Sequence, residues 1–189
     1  MLNPATQNFL DSVENFVGRP SGGDLTAAVF QVLEDRLGVS FPEAYKAFVS
    51  VYGPGSLCND IDIYHPTVDY PPYGLLGDII DAGIRNWQED PYFWDEAIQG
   101  GAAPFELGTE PGMLLPWGDA LNQVTLYFRI SDDGEWEVIE YSEGFHERSG
   151  LHFDEWILRY LSGGGSSGYF VTAKQRSGPP FFRPAGDFR

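Results

Sequence analysis

The sequence predicts one globular domain in which helices and strands are segregated along the chain, and three observations carry that prediction. Apolar residues recur at offsets of three and four as far as Tyr52, and again from Phe153 to Leu161. Between Val124 and Tyr141 the period drops to two, with a turn signal in the middle. The 189 residues are 42% hydrophobic and 15% aromatic, enough to fill one core and short for two.

Asn3 and Pro4 start the first helix, whose apolar stripe is Phe9, Leu10, Val13 and Val17. A second helix is expected from an Asp24 cap, with Leu25, Ala28, Val29, Val32 and Leu33 on one stripe and a stop at Gly38. Ser40 and Glu43 form a capping-box pattern around Pro42, and Phe41, Ala44, Tyr45, Phe48, Val49 and Tyr52 line the third helix, which Gly53, Pro54 and Gly55 end. From Leu57 the pattern is that of a half-buried strand, with Leu57, Ile61 and Ile63 on one side and Asp60 and Asp62 on the other. A Pro/Tyr-rich loop leads to a helical stripe of Ile80, Gly83, Ile84 and Trp87, which Pro91 separates from a short turn of helix at Trp94, Ala97 and Ile98. Met113 to Trp117, Val124 to Ile130 and Trp136 to Tyr141 read as strands of an antiparallel meander. SDDG, residues 131 to 134, supplies the hairpin turn between the last two. Phe153, Trp156, Ile157, Tyr160 and Leu161 form a closing amphipathic helix, with Asp154 and Glu155 where its dipole favours them.

Charge divides the chain differently. The formal net charge is −17, but residues 1 to 162 carry 27 acids against 7 bases, while residues 163 to 189 carry one acid and four bases. The switch falls at SGGGSSG, residues 162 to 168, a connector to a basic, aromatic tail with Lys174, Arg176, Arg183 and Arg189. The expected organisation is therefore a body over 1–162 and a linker with tail over 163–189, whose Tyr169, Phe170, Phe181 and Phe182 are expected to dock on the acidic body. Such a balance argues against direct contact with nucleic acid or an anionic membrane, since phosphates require clustered Lys and Arg. It fits a basic protein partner, and equally a surface kept soluble by charge. Cys58 is alone, and neither a signal segment nor a membrane span is visible, so cytoplasm is the expected location.

No constellation of catalytic or metal-ligating residues stands out, and no cofactor is implied. His146 and His152 are six apart, which fits neither a helical zinc pair nor a zinc knuckle, and His65 is remote from both. Gly163, Gly165 and Gly168 match G-x-G-x-x-G in form, yet they follow a helix and open none, so they read as linker. Cys58 lacks a basic neighbour and reads as a small buried residue. The acid pairs Asp60/Asp62, Glu89/Asp90, Asp95/Glu96, Asp132/Asp133 and Glu135/Glu137 read as solvated faces and turns. Tyr70, Tyr73, Tyr92, Phe93 and Trp94 lie in irregular stretches and are candidate recognition aromatics, whereas Trp136 and Trp156 follow core periodicity.

The segments LGVSFPEAYKAFVSVYGPGSL (37 to 57), LLPWGDALNQVTLYFRI (114 to 130), WEVIEYSEGF (136 to 145) and FDEWILRYL (153 to 161) together resemble the SUKH superfamily, the fold of the fungal Smi/Knr cell-wall regulators and many bacterial proteins. The resemblance spans roughly residues 24 to 162. It rests on a Pro, aromatic, helix, Tyr-Gly element followed by a Trp-Gly-Asp strand element. In many relatives the turn after Trp-Gly-Asp carries another Gly and acid, where this chain has Ala120, Leu121 and Asn122. The resemblance implies an α+β fold, a single mixed or mainly antiparallel sheet with helices packed on one face, and no catalytic apparatus. It places Asp119 at a strand end, where a turn-stabilising carboxylate is expected.

The resemblance also implies a non-enzymatic protein-binding module of the immunity type, one that neutralises a cognate bacterial toxin such as a basic nuclease domain. The contacts expected are Asp60, Asp62 and Asp69 around the first strand and its loop, Glu89, Asp90, Trp94, Asp95 and Glu96 in the helical insertion, and Asp132 and Asp133 at the hairpin tip. An intracellular regulatory adaptor that binds an endogenous protein is the alternative. A carboxylate-dependent hydrolase is a remote third, and it would need two close, buried carboxylates in a deep cleft.

Overall fold

The computed structural model describes residues 2–19, 28–69, 73–89, 106–120, 124–131, 133–142, 145–164 and 178–187. Helix α1 runs Pro4–Val17. Asn3 caps it by accepting the Thr6 N–H at 2.8 Å, and Gly18, at φ 78°, ends it. Its predicted stripe of Phe9, Leu10 and Val13 is buried. Helix α2 is Ala28–Leu37, so the expected Asp24 cap and Leu25 lie outside the described residues. Its core face differs from the predicted stripe. Phe30 and Leu33 are buried, while Val32 is 77% exposed. At about 100° per residue Val32 sits two steps round from Phe30, and the larger aromatic sets the face.

Helix α3, Glu43–Tyr52, corrects a second expectation, because no capping box forms at its start. Pro42 occupies the cap position and has no side-chain acceptor to offer. Ser40 instead donates to the Glu34 carboxylate, which also accepts the Phe41 N–H at 2.7 Å. Glu43 reaches back to α1, where it accepts from the Asn3 side chain and backbone. The N-terminal ends of α1 and α3 are therefore tied together.

The expected strand from Leu57 is in fact a hairpin, β1 (Gly55–Leu57) and β2 (Ile61–Ile63). Cys58 and Asn59 turn the chain in the left-handed region, at φ 63° and 58°. Period two is preserved on either side of this turn, which is why the sequence pattern reads through it. Helix α4, Leu76–Glu89, follows, and the expected turn of helix at Trp94, Ala97 and Ile98 lies outside the described residues. Strands β3 (Leu114–Ala120), β4 (Val124–Ile130), β5 (Trp136–Ser142) and β6 (Phe145–Arg148) form the meander. Helix α5 is Phe153–Leu161. It ends in a Schellman motif, with the Gly163 N–H bonded to the Tyr160 carbonyl and the Gly164 N–H to the Arg159 carbonyl. Two glycines of the expected linker thus belong to the helix end. Strand β7 (Phe182–Pro184) and a 3₁₀ turn, Ala185–Asp187, close the described chain.

The strands form one sheet in the order β6-β5-β4-β3-β2-β1-β7, with every neighbouring pair antiparallel. The fold is α+β. On one face, residues from α1, α2, α3 and α5 pack on Leu57, Ile61, Ile63, Leu115, Trp117, Leu126, Phe128 and Val138. An aromatic group lies at its centre. Tyr45 and Phe128 are 5.2 Å apart, Trp117 and Phe153 also 5.2 Å, and Trp117 and Phe128 5.4 Å, mostly edge to face. On the other face a smaller cluster of Leu107, Leu114, Tyr127 and Ile139 packs with Trp87 and Tyr141, and Ile84 of α4 touches both clusters.

Candidate protein-binding surface

Strand alternation sorts the sheet residues into rows. Because Ile61 and Ile63 point into the helix-covered core, Asp62 between them points to the second face. The pairing register then aligns Arg183 of β7, Ser56 of β1, Asp62 of β2, Asp119 of β3, Thr125 of β4 and Tyr141 of β5 in one polar row across six strands. Asp62 and Asp119 are direct cross-strand partners, both half-buried. Gly118 makes that approach possible, since a Cβ there would lie 2.7 Å from the Asp62 carbonyl oxygen. The Asp119 of the Trp-Gly-Asp element thus lies within a strand opposite a second carboxylate, next to the strand's final residue, Ala120.

Tyrosines surround the pair. The Tyr73 hydroxyl donates to Asp62 Oδ2 at 2.9 Å, and its ring lies 5.4 Å from that of Tyr64. Burial pushes the Tyr64 hydroxyl well above its ordinary range, and the charges of Asp119 and Asp62 push it the same way. Tyr127 is raised too, chiefly by burial, while a hydrogen bond with Thr125 acts in the opposite direction. These phenols remain neutral donors at any physiological pH. The arrangement offers carboxylate acceptors flanked by hydroxyls and rings, the chemistry that receives a lysine or arginine side chain.

The other expected contacts are dispersed. Asp60 accepts the Tyr160 hydroxyl at 2.7 Å, which ties the β1–β2 turn to α5 and parts Asp60 from Asp62. Asp133 is held in the β4–β5 turn, where the Ser131 hydroxyl, followed by the Glu135 backbone N–H, keeps its carboxyl below the usual range. Asp69 is exposed beyond β2, and Glu89 is exposed at the end of α4. Asp90, Trp94, Asp95, Glu96 and Asp132 lie outside the described residues.

A groove of about 660 Å³ lies elsewhere, where the N-termini of α1, α3 and α5 meet the β4–β5 turn. Glu43, Glu135 and Asp154 line it against Lys46, and Trp136 lies in its wall, stacked on Phe41. Neither Asp62 nor Asp119 borders it. Asp62 and Asp119 are therefore on a sheet face, and not in this groove.

The surface is acidic by composition, and its few bases are largely paired. Of the seven bases in residues 1 to 162, Arg36 pairs with Asp81, Lys46 with Glu34, and Arg129 and Arg148 both with Glu137. Four of the body's seven bases are thus engaged internally. Among the described residues no group of three or more His, Cys, Asp or Glu side chains could hold a metal ion. No described helix is long and apolar enough to cross a membrane.

Sequence reasoning missed the Asp62–Asp119 pairing, because the two residues are 57 positions apart and only the β2–β3 register brings them together. Alternation around Ile61 and Ile63 signals the outward aim of Asp62. The profile of the SMI1 / KNR4 family (SUKH-1) matches residues 24–159. No curated protein and no solved structure matches the chain.

Proposed function

Because the chain belongs to the SMI1 / KNR4 family (SUKH-1), at family level a protein-binding or immunity-type module, we propose that it is a non-enzymatic immunity protein whose acidic surface neutralises a basic bacterial toxin domain, such as a nuclease, in the cytoplasm. The observation that carries this reading is the Asp62–Asp119 pair. Direct cross-strand partners on the second sheet face, these carboxylates would accept a lysine or arginine side chain of the partner. Asp69, Glu89, Asp90, Asp95, Glu96 and Asp132 would add to the long-range field that speeds encounter, with Trp94 as an aromatic anchor. Asp60 and Asp133 would contribute charge while their carboxylates hold the fold.

Co-expression with the product of each adjacent gene tests the proposal. The expected outcome is rescue of growth from one toxic neighbour, together with a complex whose association slows as salt is raised. Failure to bind or rescue from any encoded neighbour would overturn it.

A further inference from the structure

The family match ends at residue 159, yet the sheet ends at residues 182–184. Its outermost strand is supplied by a segment beyond the family's module, with a Gly/Ser-rich stretch between. The pairing is Gly55 with Pro184, Ser56 with Arg183 and Leu57 with Phe182. Backbone bonds flank it on both sides, from the Cys58 N–H to the Phe181 carbonyl at 2.8 Å and from the Ala185 N–H to the Pro54 carbonyl at 2.9 Å.

The edge reads the segment that lies on it. The Phe182 ring meets Phe48 and Tyr52 edge to face, at 5.9 and 5.3 Å, and the Arg183 guanidinium donates to Asn59 Oδ1 at 3.1 Å. Gly55 admits the strand, because a Cβ there would lie 2.7 Å from Phe182 Cζ and would also strike the Arg183 carbonyl. Its backbone is not left-handed, so its missing side chain serves this close approach. Phe181 and Ala185 aim their backbone groups at β1, so residues 182 and 184 aim theirs outward. Pro184 has no N–H there, and the sheet is discouraged from adding a further strand.

The hold is slight for so specific a fit. All three β7 residues are only half-buried, Phe181 is 39% exposed, and the strand is three residues long. Residues 163 to 189 are basic and the body acidic, so charge favours segments of this kind at this edge. We propose that the β1 edge is a strand-addition site for an extended aromatic–basic segment of a partner protein, occupied in the free protein by the chain's own C-terminal strand until a partner displaces it. The proposal rests on the protein-binding reading alone, so failure to find a toxin leaves it standing.

The test uses the full chain and a fluorescent peptide of residues 177–189, with binding read by anisotropy. The Phe182→Ala chain, whose own strand is weakened, is expected to bind the peptide at least tenfold more tightly than the unaltered chain does. Binding is expected to vanish when the peptide carries Ala in place of Phe182, or when the chain also carries Gly55→Val. Hydrogen exchange on the unaltered protein gives an independent reading, in which the Cys58 and Ala185 amides exchange at least a hundredfold faster than the Phe128 amide. A folded Phe182→Ala chain that ignores the peptide, equal protection of the edge and core amides, or a dimer joined by exchanged tails would each overturn the proposal.

Discussion

The two faces of the sheet are made by the same strands and differ in what they pack. On the helix-covered face Trp117, Phe128 and Ile61 are fully buried, and the carboxylate of Glu140 sits among them with its Oε1 accepting the Trp156 indole N–H at 2.7 Å. On the second face a row of Ser56, Asp62, Asp119, Thr125 and Tyr141 crosses β1 to β5, with acids opposite each other. One period-two pattern therefore writes two messages. One set of alternate residues supplies the aromatic packing that defines the fold, and the other set holds a smaller apolar cluster beside a polar row.

Phe128→Ala is the strongest way to break this comparison, since the ring lies against Tyr45, Trp117, Trp136 and Phe153. Loss of about 3–5 kcal/mol in denaturant unfolding is expected, as for other large core aromatics. A loss below about 1 kcal/mol would mean that the helix-covered face does not carry the fold.

His65 tests the seam between β2 and α4. It is fully buried, its Nδ1 accepts the Thr67 and Val68 N–H groups, and burial lowers its pKa to about 4. The neutral ring is the folded form, so the unfolded chain takes up the proton first as the pH falls through about 6.5. Stability from this residue is complete above pH 6.5 and is lost as the pH falls towards 4, by on the order of 2 kcal/mol. Unfolding curves from pH 7 to 4 should show this slope in the native chain and a flatter one in His65→Asn, which keeps an acceptor oxygen. Equal slopes would show that the histidine is not the titrating group.

Asp62→Asn is the finest probe. It removes a like charge from beside Asp119 and keeps a group that can accept from Tyr73, so stability should stay within about 0.5 kcal/mol of the native value or rise. Affinity for the cognate partner, by calorimetry, should fall at least tenfold. A stability loss above about 2 kcal/mol would make the second face structural as well.

Legibility followed the range of each signal. The stripes of α1, α3 and α5 and the alternation of β4 and β5 are local, and each was readable from its own residues. Helix α2 was misread at Val32 because its core face is set by Phe30 meeting Phe41 and Tyr45, with rings 5.8 and 5.5 Å apart. The β1–β2 turn was read through because period two continues on both sides of it, although Asn59 is a residue type that tolerates the left-handed conformation it adopts. The capping box at Ser40 failed because Glu34, six residues before Ser40, and Asn3, forty before Glu43, competed for its members.

The order of the main elements, the acidic body with its basic tail, and the family to which the chain belongs are all written in the sequence. These follow from periodicity, composition and motif order, which are properties of neighbouring residues. Long-range pairing sets the rest: Asp62 faces Asp119, Asp60 turns instead to Tyr160, and Phe182 completes the sheet beside Gly55. Strand register and edge pairing join residues 57 to over 120 positions apart, and no local preference of the chain can encode which of them will meet.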